Sequence, residues 1–146
     1  RPVAAADYFL SNSVLAWFAT KVIGIVPIRR SRDQGDPLAP CDEAIADNAI
    51  LIFFPEGTRG EPEQRGQFKK GIAYLAQKFP EVPITPVFIH GLGKSLPRGE
   101  ALLVPFFCDV IVGEPFFWEG DIDSFSKKVE QSILELEQEG DFPQWS

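Results

Sequence analysis

The chain has 146 residues, 45% hydrophobic and 24% charged, which is one domain's worth of an ordinary globular composition and excludes intrinsic disorder. A net charge of -7 argues against general nucleic-acid binding, and that charge is unevenly placed. Residues 109–146 hold ten acids against two bases, whereas residues 1–108 carry twelve bases against eleven acids, so the acidity belongs to the tail. Cys41 and Cys108 show neither CxxC spacing nor a cluster of histidines; free thiols in a reducing compartment are expected, and no metal site. Residue 1 is Arg and the chain contains no Met, so the natural sequence is expected to continue upstream.

In chain order, Val3 to Thr20 places Phe9, Val14, Leu15, Trp17 and Phe18 among small polar residues, a pattern that predicts a helix with one or two apolar faces. The uncharged run Tyr8–Thr20 is 13 residues long and ends at Lys21, short of the roughly 20 needed to span a bilayer. It reads either as a core helix or as one that also dips into the membrane interface. VIGIVPIRRSR, Val22 to Arg32, predicts a short strand interrupted by Gly24 and Pro27, and Pro27 assigns it to an edge or irregular position. Three arginines follow within four residues. A planar guanidinium that never loses its charge suits a phosphate, though a solvated face is the ordinary use of such a cluster. Asp36 to Asn48 predicts a short polar helix opened by Pro37, with Ala44 and Ile45 inward. Strand, helix and strand in succession argue for a right-handed crossover and a parallel sheet.

Ala49 to Phe54 is an apolar run of six, the length of a strand buried on both faces of a parallel sheet. Pro55 closes it and Gly57 supplies a tight turn, leaving Glu56, Thr58 and Arg59 at the strand's carboxyl end. Ligands bind at that edge in open α/β sheets, so the corner reads as an anion site. After a polar loop, QFKKGIAYLAQKF predicts a helix with Phe68, Ile72, Leu75, Ala76 and Phe79 on one stripe and Lys69 and Lys70 in its first turn. Lysines there oppose the helix dipole, which favours a neighbouring anion, or they are simply two exposed lysines. VPITPVFIHG, Val82 to Gly91, predicts a bulged or edge strand because Pro83 and Pro86 each remove an amide donor. LLVPFFCDVIVGEPFFW adds one or two strands broken at Gly113 and Pro115, with the pairs Phe106/Phe107 and Phe116/Phe117 as core packing or, less favoured, an acyl-chain lining. Asp121 to Gln138 predicts an amphipathic helix with Ile122, Phe125, Val129, Ile133 and Leu136 inward and Asp121 or Asp123 as its cap. His90 ends a strand with no Asp in its sequel Gly91-Leu92-Gly93-Lys94, and a structural hydrogen-bonding role suits it better than that of a general base.

The string FFPEGTRG, Phe53 to Gly60, resembles the third signature block of the glycerolipid acyltransferases, the group that includes 1-acylglycerol-3-phosphate and glycerol-3-phosphate acyltransferases, with Gly60 where Ser is common. Gly24, Ile28 and Arg30 match the second block, with Arg29 as the near competitor of Arg30, and Val82 to Val87 resembles the fourth, which the family places near the acyl or acceptor pocket. The family's catalytic block, Asn-His followed by four residues and Asp, does not occur here and is expected upstream of Arg1. The resemblance implies an α/β fold with a mostly parallel central sheet flanked by helices, forming a single domain truncated at its N-terminus. It implies transfer of a fatty acyl group from acyl-CoA or acyl-carrier protein to a lysophospholipid hydroxyl, without a cofactor, at the cytoplasmic face of a membrane, peripherally or through anchors outside this sequence. Arg30, Glu56, Gly57, Thr58 and Arg59 would hold the acceptor's phosphate and glycerol, supported by Lys69 or Lys70. A non-catalytic lipid- or phosphate-binding module that lost the His-Asp pair is the alternative.

Overall fold

The computed structural model describes residues 1–6, 13–28, 35–57, 66–91, 108–140 and 142. The chain is mixed α/β and falls into two compact units, Arg1–Gly57 and Thr58–Ser146.

The first unit is built on β1, Val3–Ala5, which pairs in parallel with β2, Val26–Ile28. The register sets Val3 against Val26, Ala4 against Pro27 and Ala5 against Ile28. On its other side β1 meets residues 50–54 through a parallel bridge between Pro2 and Ile52. The Val3 amide donates to the Ile52 carbonyl at 2.9 Å, and the Ile52 amide to the Arg1 carbonyl at 3.0 Å. The order is therefore β2, β1, residues 50–54, with all three running the same way.

Three expectations are corrected here. Val3 to Ala5 forms a strand and not the start of a helix, because its backbone partners lie across the unit and outweigh local periodicity. The helix starts later, as α1, Ser13–Trp17, and runs on as a wider π-helical stretch, Phe18–Ile23, into residues that the pattern assigned to a strand. Gly24, in the left-handed conformation at φ 75°, ends that stretch and donates to the Ala19 carbonyl. Among the described residues the strand bridge of residues 49–54 is at Ile52, and Ile50, Ile52 and Phe54 are 84%, 53% and 57% exposed. That segment has one half-buried face, Leu51 and Phe53, instead of two buried ones.

Pro27 sits, as expected, on a strand paired along one side only among the described residues. Between β2 and residues 50–54 lies α2, Ala39–Ala46, which packs on β2 and buries Cys41 and Ala44. Asp36 accepts from the Leu38 amide through Oδ1 at 2.9 Å in the turn that leads into α2. The helix closes with Asn48 at φ 57°, the Asn48 amide bonding the Ile45 carbonyl and the Ala49 amide bonding the Ala44 carbonyl, both at 2.9 Å. This paired arrangement satisfies its last carbonyls and turns the chain towards residue 50. Burial pushes the Cys41 thiol up to about 11, helped by the charges of Asp42 and Asp36, which disfavours the thiolate.

The second unit packs α3, Gly71–Lys78, against α4, Ile122–Glu139, which also covers β3, Val87–His90. β3 pairs antiparallel with β4, Asp109–Val112, and a separate antiparallel bridge joins Ile84 to Phe116. Pro86 stands between the two pairings, the interruption its missing amide predicts, and its carbonyl accepts from Gly113 at 2.9 Å. The core is Ala73, Ala76, Phe125 and Val129, closed in by Phe68, Ile72, Ile84, Phe116, Trp118 and Ile122. Phe125 lies at its centre, 5.8 Å from the Phe116 ring and 4.8 Å from that of Trp118. Phe116 is thus a core residue as expected, while Phe117 is exposed and Phe106 and Phe107 lie outside the described residues.

Asp121 caps α4: its Oδ1 accepts from the amides of Asp123 and Ser124, while Ser124 Oγ accepts from the Asp121 amide. The Ser124 amide, then its hydroxyl, then the Asp123 amide hold the Asp121 carboxyl below its ordinary 3.8. A group depressed in the folded state stabilises above its unfolded pKa and loses that contribution as pH falls through the folded value. Asp121→Ala is expected to lower the melting temperature at pH 6, with the gap to the parent protein narrowing as pH drops below about 4; a gap independent of pH in thermal melts would contradict the cap. Phe125→Ala is expected to cost about 3–5 kcal/mol of unfolding free energy in urea titration.

Candidate functional site

Because β1, β2 and residues 50–54 run parallel, their carboxyl ends share one edge of the first unit. Ala5 stands opposite Ile28, and on the other flank residues 53–54 run on from the Pro2–Ile52 bridge to the turn at Pro55. Ile28 and Pro55 thus close the two segments that flank β1. The next residues in sequence are Arg29 and Arg30 on one side and Glu56 on the other.

At the second of these exits the chain turns as the residue types demand. The Gly57 amide donates to the Phe54 carbonyl at 3.0 Å, and Gly57 takes φ 65°, a conformation that side-chain-bearing residues adopt at a cost. Pro55 sits inside this turn, where its fixed φ is suited. Glu56 is half-buried and Gly57 exposed. Of the corner residues singled out from sequence, Glu56 and Gly57 are therefore at the shared edge, whereas Arg30, Thr58 and Arg59 lie outside the described residues.

The two lysines belong to the second unit. They precede α3 and are not inside its first turn: α3 starts at Gly71, and Lys70 is its N-cap residue without a side-chain cap bond. Both are exposed. Lys70 forms an ion pair with Asp123, whose side-chain hydrogen bond and charge hold the ammonium above its ordinary value. Asp123 in turn lies in the first turn of α4, the end that favours an anion. The anion that sequence reasoning sought beside Lys70 is therefore supplied within the unit, by a residue 53 positions away. Asp123 was visible in the sequence as a cap candidate, and no local signal connected it to Lys70.

His90 ends β3 opposite Asp109 and stacks on Phe142, with centroids 4.3 Å apart and planes at 9°. Phe142 also approaches Phe88 at 5.7 Å. This packing agrees with a structural role for His90. Among the described residues no three His, Cys, Asp or Glu side chains group as metal ligands, and no helix is long and apolar enough to cross a membrane. Cys41 is buried and Cys108 exposed, both as free thiols.

Comparison with known proteins agrees with the sequence motifs. A chloroplastic 1-acyl-sn-glycerol-3-phosphate acyltransferase of Brassica napus, BAT2, is 38% identical over 107 residues, which are 71% of this chain and 30% of that protein. LPAT1 of Arabidopsis thaliana, also a chloroplastic 1-acyl-sn-glycerol-3-phosphate acyltransferase, is 37% identical over 105 residues, 70% of this chain and 29% of that protein. The human 1-acyl-sn-glycerol-3-phosphate acyltransferase alpha is 27% identical over 141 residues, 91% of this chain and 48% of its own. The chain thus spans about a third to a half of the length of these relatives. The crystal structure of the 1-acyl-sn-glycerophosphate acyltransferase PlsC from Thermotoga maritima shares the fold, with a TM-score of 0.70 at 24% identity over 99% of this chain and 58% of that one. A protein-family model described as Acyltransferase matches residues 1–90, a stretch that holds both the paired parallel strands and the Glu56–Gly57 turn. With more than half of its length so matched, the chain belongs to the acyltransferase family.

Proposed function

We propose that this chain is part of a glycerolipid O-acyltransferase, which moves a fatty acyl group from an acyl-CoA or acyl-carrier-protein thioester to the hydroxyl of a lysophospholipid such as 1-acylglycerol-3-phosphate. The observation that carries the reading is the turn Pro55-Glu56-Gly57 at the common carboxyl edge of three parallel segments, inside the region matched by the family. The names of the plant, animal and bacterial relatives support the acceptor class.

In this reading the acceptor hydroxyl oxygen attacks the thioester carbonyl carbon, the carbon–sulfur bond breaks, and the hydroxyl proton passes by way of a base to the leaving thiolate. The step requires that base, donors for the tetrahedral oxyanion, and a holder for the acceptor phosphate. Arg30 and Arg59 are assigned the phosphate, since a guanidinium matches its geometry. Thr58 and the Glu56–Gly57 turn are assigned the glycerol, and Lys69 a supporting charge. Lys70, the other candidate for that charge, is paired with Asp123. The base is assigned to a His-x4-Asp block outside this sequence. The two units are read as one acyltransferase-like domain with a mostly parallel central sheet flanked by helices. The parallel pairings of β1 and a single solved chain that aligns along 99% of this one support that reading. The site would work at the cytoplasmic face of a membrane, where its amphiphilic acceptor resides.

The full-length protein is expected to release free thiol from acyl-CoA in the presence of lysophosphatidate; no release with any lyso-acceptor or either donor would defeat the reading. Lysolipid binding without release would assign the chain instead to a binding module. Arg30→Ala is expected to raise KM for the phosphate-bearing acceptor by about 10- to 100-fold, the worth of one charge-assisted hydrogen bond, with KM for acyl-CoA little changed in the same assay.

A further inference from the structure

The helical run Ser13–Ile23 turns a row of large apolar side chains to solvent. Val14, Phe18 and Val22, spaced four apart and so neighbours on one face, are 74%, 46% and 57% exposed, and Trp17 beside them is 61% exposed. Ala19, from the other side of the same run, is buried in the first unit. A row of this kind on a structured helix is a contact surface more often than a solvated one.

Charge indicates what it contacts. Residues 8–32 hold Lys21, Arg29, Arg30 and Arg32 and no acid, within a chain of net charge -7. Lys21 is exposed in the last turn of the run. An apolar row with Trp and Phe, with a lysine in its last turn and arginines following in sequence, is the composition of a helix lying in the interfacial layer of an anionic bilayer. The run is 11 residues long, about half of what spanning needs.

We propose that the face formed by Val14, Trp17, Phe18 and Val22 seats in the interface of an anionic lipid bilayer, with Lys21 at the level of the lipid phosphates. The acceptor proposed above is itself an anionic amphiphile, which agrees with this occupant, but exposure and charge carry the assignment without it. The surface would dock the first unit on the lipid sheet by lying along it.

The test uses the full-length protein with vesicles of phosphatidylcholine containing phosphatidate and lipid brominated in the upper acyl chain. Tryptophan emission is expected to be quenched, and the quenchable part to disappear in Trp17→Phe. The exposed double substitution Val14→Asp/Phe18→Asp is expected to lower vesicle partition at least ~10-fold while leaving the circular dichroism spectrum and melting temperature intact. Quenching that persists unchanged in Trp17→Phe, or equal partition of the double variant, would overturn the proposal. A self-association in sedimentation velocity that the double variant abolishes, with vesicle partition unchanged, would give the face to a second copy of the chain and overturn it equally. Vesicle binding through Trp17 without thiol release would sink the acyltransferase reading alone. Thiol release with a short-chain, water-soluble acceptor but no Trp17 quenching would sink the docking face alone.

Discussion

Four residues, Pro2 to Ala5, hold the first unit together by pairing on both sides. Val26 donates its amide to the Pro2 carbonyl at 2.8 Å, and Val3 and Ile52 complete the bridge on the other flank. Backbone groups taken out of water must find such partners, and here the partners come from segments that are remote in sequence. The consequence for the site is directional. With β1 in the middle, the chain leaves β2 after Ile28 and leaves residues 50–54 after Phe54 at one edge. Remove that shared neighbour and the end of β2 at Ile28 loses its geometric relation to the turn that holds Glu56.

The second unit is organised by burial around Phe125, and its charges serve that packing. Asp121 and Ser124 satisfy the first amides of α4, Asp123 pairs with Lys70, and Lys128 pairs with Glu119 while its ammonium lies 5.0 Å from the Phe116 ring. These ion pairs are solvent-exposed, so each adds little to stability. The one with Lys70 also occupies its ammonium, so a ligand recruiting this lysine would compete with a carboxylate already in place.

Several features were legible from local chemistry alone. The FFPEGTRG string, the Pro55–Gly57 turn, the break at Pro86, the helix begun by Asp121 and the edge position of Pro27 follow from residue types within a few positions of each other. Other features were not. Val3 to Ala5 reads as part of a helical pattern, yet it is a strand whose partners lie 23 and about 50 residues away. The apolar run 49–54 looks buried on both faces, but periodicity reports that a segment is apolar and not how many neighbours reach it. The helix after Ser13 overran its expected end because the stop signal was Gly24 in a left-handed conformation and not the preceding change in hydrophobic pattern.

By itself the sequence determined the family block, the tight turn that ends in Gly57, and the amphipathic α4 with its cap. Each depends on side-chain chemistry expressed within one turn or one helix. Only the tertiary structure decided that β1 lies between β2 and residues 50–54, that Ile50, Ile52 and Phe54 remain exposed, and that Lys70 meets Asp123. Those outcomes depend on hydrogen bonds and contacts between positions tens of residues apart, whose pairing no local window of residues specifies.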